Sequence, residues 1–158
     1  MIYFPAVSFM FLLILGTAAV GAEPEASSTK PTATDGVIEL FDKNGNPDCQ
    51  FDFVTGQHRL GQGNKCRNDE LGGFMLHNVP SATTFIMTDA GDCGSEENFY
   101  FEFKTIKYET VTDLVNLDTV PTFETGAVVR PGVRLIKKLW NGGTIAGKLS
   151  CLKIIRSE

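Results

Sequence analysis

The stretch Phe99 to Ile106 reads FYFEFKTI, and it constrains the fold more than any other part of the chain. Phe99, Phe101 and Phe103 fall on one face, and Tyr100, Glu102 and Lys104 on the other. A period of two marks a half-buried strand. Val37 to Asp42, Cys49 to Val54, Gly73 to Val79, Thr84 to Thr88, Val133 to Leu139 and Lys148 to Ile155 read the same way, with a short strand around His58 to Leu60. No segment sustains a helical period, so the sequence predicts an all-β domain.

The pattern occurs twice. Leu71 to Cys93 (LGGFMLHNVPSATTFIMTDAGDC) joins the last strand of one unit to the first strand of the next through Pro80-Ser81. On each side the order is strand, turn, Cys, aromatic alternating strand, loop and closing strand. The units are 36–79 and 82–155. Two four-stranded Greek keys packed face to face would bury both phenylalanine faces in one β-sandwich.

The remaining boundaries come from composition. Residues 1–22 contain an apolar run, Phe9 to Leu15, and end in the small residues Val20-Gly21-Ala22. This predicts a signal peptide cut after Ala22; the run is shorter than the roughly 20 residues a bilayer crossing needs. Residues 23–35 are rich in Ala, Ser, Thr and Pro and predict a flexible tail before a single domain at 36–156. The formal net charge is −5, which disfavours nucleic acid and anionic membranes as partners. A secreted, extracellular monomer is expected.

The chain has four cysteines, Cys49, Cys66, Cys93 and Cys151, an even count that predicts two disulfides in an oxidising compartment. Four cysteines allow three pairings. Cys49–Cys66 with Cys93–Cys151 is preferred because each bridge then closes one half of the domain. No CxxC pair exists, and His58 and His77 lack ligand spacing, so neither a metal site nor a cofactor is expected.

Two resemblances follow from particular segments. Lys148-Leu149-Ser150-Cys151-Leu152-Lys153-Ile154 looks like the closing strand of the βγ-crystallin-like fold, with Cys in place of a second Ser. Asn68-Asp69-Glu70-Leu71-Gly72-Gly73 occupies the place of that family's calcium motif, and departs from it at Gly72, which has no hydroxyl. The resemblance implies two Greek keys and, as one functional reading, a structural or calcium-binding module or an antimicrobial toxin. Thr84 to Ile106 and Arg130-Pro131-Gly132-Val133-Arg134-Leu135-Ile136 resemble small secreted effectors of filamentous plant-pathogenic fungi. That resemblance implies a virulence protein that binds and disables a host defence protein in the apoplast. Inhibition of a papain-like cysteine protease is the activity it implies first.

No catalytic constellation stands out, and the protein is not expected to be an enzyme. Asp42, Asp48, Asp52, Asp89 and Asp92 sit in or near turns, where Asp bonds the local backbone. Gly61-Gln62-Gly63 lacks the helix that a phosphate loop requires. The distinctive feature is the long connection Lys107 to Gly132, which carries Val111, Leu114, Val115, Leu117, Val120 and Phe123 and is stiffened by Pro121 and Pro131. Long connections in compact domains are often functional. Val111 to Leu117 also reads as a further strand, and Phe123 as a core plug. Val120, Phe123, Arg130 and the single Trp, Trp140, are the candidate partner-binding residues.

Overall fold

Alternating burial at the start of the first strand separates an inward from an outward face. In β1 (Val37–Asp42), Ile38 and Leu40 are fully buried, while Val37 and Glu39 are half-buried on the other side. The computed structural model describes residues 35–63, 66–94 and 98–157. The predicted signal peptide, 1–22, lies outside the described residues, as do positions 23–34 of the predicted tail.

Ten strands form two antiparallel sheets among the described residues. One sheet takes β2 (Pro47–Asp52), β1, β4 (Leu71–His77) and β7 (Val115–Asn116), in that order. The other takes β3 (Gly56–Arg59), β10 (Cys151–Ile155), β5 (Thr84–Thr88), β6 (Phe99–Thr105), β9 (Val133–Trp140) and β8 (Val128–Arg130). The expectation of two four-stranded layers is therefore corrected. The ribbon β8–β9 widens the second sheet to six strands.

The two sequence units also exchange strands. β3, from the first unit, pairs with β10 of the second, with Leu152 opposite His58. β7, from the second unit, pairs with β4 of the first, with Phe74 opposite Val115. Neither sheet is built from one unit alone.

The core lies between the sheets and is aromatic. Phe74 of β4 meets Phe85 of β5 edge-on, ring centroids 5.3 Å apart, and Phe103 of β6 at 5.5 Å. Phe85 and Phe103 stack at 5.1 Å, and all three rings are fully buried. Edge and offset contacts of this kind add about 0.5–1.5 kcal/mol per pair beyond area burial. Both disulfides are present, Cys49–Cys66 and Cys93–Cys151, with sequence separations of 17 and 58. This is the preferred pairing. It closes one loop within each unit, and two such bridges are compatible with an oxidising, extracellular setting.

Candidate interaction surface

The connection after β6 is ordered by hydrogen bonds along its length. Ile106 N donates to Gly132 O (2.8 Å), and Val79 and Thr110 exchange backbone bonds at 3.0 and 2.8 Å. Gly132 has φ +90°, and a Cβ there would lie 2.8 Å from Thr110 Cγ2, so the turn Pro131-Gly132 closes against the connection only with glycine. Thr112 Oγ1 accepts from Leu76 N at 3.0 Å. The Arg130 guanidinium donates to Val129 O and Leu114 O at 2.9 and 3.3 Å.

The second half of the connection enters the core. A 3-10 helix, Leu117–Thr122, buries Leu117 and Val120 completely. Asn116 Oδ1 caps it by accepting from Asp118 N (2.9 Å). Asp118 Oδ1 accepts in turn from Ile145 N and Ala146 N at 2.8 and 3.0 Å, tying the helix to the loop before β10. At its other end Lys138 Nζ donates to Pro121 O (2.8 Å) and Phe123 O (2.7 Å). A cation on the closing carbonyls of a helical turn is stabilising.

The four candidate residues therefore sit in different settings. Val120 is fully buried and offers nothing to a partner in this conformation. Phe123 is half-buried and packs against the core cluster. Arg130 is half-buried and committed to two backbone carbonyls. Trp140 is 44% exposed at the far end of β9, where its Nε1 donates to Gly143 O (3.2 Å). The alternative strand at Val111 to Leu117 survives only as β7, two residues long.

What the connection does present is its first half. Ile106 (41%), Tyr108 (61%) and Val111 (56%) are each exposed where the chain leaves the end of β6. Glu109 between them holds φ +51°, a left-handed conformation that only a few per cent of non-glycine residues adopt. Sequence reasoning had Val111, as an apolar residue of the connection. It missed Ile106, which lies just beyond the strand.

Four of the turn carboxylates are occupied by hydrogen bonds or an ion pair. Asp42 Oδ1 accepts from Asn44 N (2.8 Å) and Asn46 N (2.9 Å). The Asn46 backbone bond, then its side chain, hold the Asp42 carboxyl below its usual range. Asp48 pairs with Arg67, and this bond holds the guanidinium proton more firmly. Asp89 accepts from Asn98 N, Asn98 Nδ2 and Phe99 N at 3.0, 2.7 and 3.2 Å. Asp92 Oδ1 accepts from Gly94 N (2.8 Å). His77 lies 3.1 Å from Glu39. The His58 ring stacks on Phe51 at 4.2 Å, and burial lowers its pKa.

The segment Asn68 to Gly73 is packed against the loop before β10. Gly72 packs so closely on the loop before β10 that a Cβ would lie 2.9 Å from Ala146 Cβ. Asp69 Oδ1 accepts instead from Ser150 Oγ at 3.3 Å, and Asp69 Oδ2 from Asn68 Nδ2 at 2.7 Å. No protein-family model, no curated protein and no solved structure matches the chain.

Proposed function

We propose that this chain is a secreted, non-catalytic binding module whose target is a protein. The observation that carries the reading is the first half of the connection. Ile106, Tyr108 and Val111 stay in water while the backbone beneath them is fixed to β4 and to the turn before β9. A pre-ordered apolar loop loses little freedom on binding, so contact area converts into affinity. Tyr is also over-represented among binding hot spots.

In its most specific form, the module is a virulence effector of a filamentous plant pathogen. It fills the cleft of a host papain-like cysteine protease in the apoplast. The effector-like segments motivate this form, and the two disulfides are compatible with it. The test is a titration of the disulfide-intact chain into papain-like proteases labelled by an activity-based probe. Labelling is expected to fall near one-to-one stoichiometry, and the Tyr108→Ser/Val111→Ser variant should need at least about tenfold more protein. Unchanged labelling at large molar excess sinks the inhibitor form.

The exchange of β3 and β7 favours a second reading, in which the fold is βγ-crystallin-like. Each sheet is then completed by one strand of the other Greek key. The same fold can serve as a structural module, a calcium-binding module or an antimicrobial toxin. Gly72 argues against the calcium variant.

A further inference from the structure

The outward face of the six-stranded sheet departs from the charge of the rest of the chain. The register places Lys104 opposite Arg134, Glu102 opposite Lys137, and Lys153 beside Ile86. Glu102 is the carboxylate among these outward positions on a chain of net charge −5. Ion pairs that do form lie elsewhere, at Arg67, His77 and Arg156. Among the described residues Lys104, Arg134, Lys137 and Lys153 enter no ion pair.

Folding does not account for this arrangement. Like charges directly opposite on neighbouring strands are destabilising, and Lys104 against Arg134 is such a pair. A carboxylate at either position would stabilise the sheet. One of the cations, Lys137, is also held in place. Lys137 Nζ lies 4.9 Å above the Tyr100 ring, and Tyr100 OH donates to Glu102 Oε2 at 3.4 Å. Exposed aliphatic side chains border the cations: Leu139 (41%), Val128 (48%) and Ile155 (40%).

We infer that this face docks an acidic segment of a partner protein, one that alternates carboxylates with aliphatic side chains. The carboxylates meet Lys104, Arg134 and Lys137, and the aliphatic groups cover Leu139 and Val128. A nucleic acid or an acidic polysaccharide matches the charge but has no aliphatic side chains for that border. Glu102 near the centre also repels a continuous polyanion. The inference goes beyond the binding-module reading because it concerns a different surface and fixes the chemistry of the occupant.

The test uses the disulfide-intact chain and a fluorescent peptide of alternating Glu and Leu. Anisotropy is measured at low and at physiological salt, against a Gln/Leu peptide and against polygalacturonate. The Glu/Leu peptide should bind, weaken with salt, and lose about tenfold or more in affinity to Lys104→Glu. That variant should melt at or above the parent temperature, because it converts a repulsive cross-strand pair into an attractive one. Equal binding of Gln/Leu, tighter binding of polygalacturonate, or unchanged affinity in Lys104→Glu overturns the proposal. Loss of peptide binding in Tyr108→Ser/Val111→Ser, with Lys104→Glu unaffected, moves the site to the connection after β6. That result overturns this proposal and leaves the module reading standing.

Discussion

The two outward faces of the sandwich solve the same problem differently. On the four-stranded sheet the outward Glu39 is partnered by His77. On the six-stranded sheet, cations face one another and carry no carboxylate between Lys104 and Arg134. Inward the sheets are alike, each giving phenylalanine to one cluster. Folding is thus decided inside, where the sheets agree, and the proposed recognition lies outside, where they differ.

The likeness inside is the easiest part to break. Phe103→Ala and Phe74→Ala each remove a fully buried ring and should cost about 3–5 kcal/mol, read as a lowered urea midpoint. Because the rings touch across the sheets, amide exchange should accelerate in both sheets together. Acceleration confined to the four-stranded sheet in Phe74→Ala would refute a shared core.

A smaller effect sharpens the contrast where the four-stranded sheet meets the loop before β10. Gly72→Ser introduces a hydroxyl of the kind the crystallin-type motif carries but drives its Cβ to 2.9 Å from Ala146 Cβ. Overpacking of this kind should cost about 1–3 kcal/mol. Thermal melts with and without calcium check it. A calcium-dependent rise in melting temperature in Gly72→Ser, absent from the parent chain, would show that the hydroxyl alone had been missing.

The smallest effect concerns the joint between the sheets, where His58 of β3 stacks on Phe51 of β2. Burial lowers the folded pKa of His58 from 6.5, so the unfolded chain takes up this proton first as pH falls. The stability that goes with the neutral ring is complete above the unfolded value and is lost progressively below it. The melting temperature should decline from pH 7 to pH 5, and less steeply in His58→Phe. An identical slope in the variant would remove His58 from the account.

Much of this fold was legible because β-periodicity is local. Phe99, Phe101 and Phe103 announced a buried face, and all three are in the core. The cysteine order announced its two loops. What stayed hidden was partnership. Nothing in Gly56 to Arg59 says that this strand joins β10 rather than its own unit, because pairing is decided by contacts distant in sequence. The 3-10 helix was also missed, although Asn116 before Leu117-Asp118 is a capping signal and Pro121 suits a short helical turn. Val120 read as a surface anchor because an apolar residue in an irregular connection looks exposed until its helix is seen to enter the core. The repulsive pair at Lys104 and Arg134 needed the register of β6 against β9, which a bulge beside Phe103 shifts.

The place of β10 bears on how the molecule is made. It is the last strand in chain order, yet it lies between β3 and β5 inside the six-stranded sheet. During synthesis β3 and β5 emerge early with an unfilled slot between them, about the width of one strand. Until Cys151–Ile155 arrives, each shows the polypeptide an open edge, the kind of surface on which chains join one another. A chain truncated before β10 should therefore clump rather than fold in part, and the interval before that strand appears is when a chaperone has most to protect.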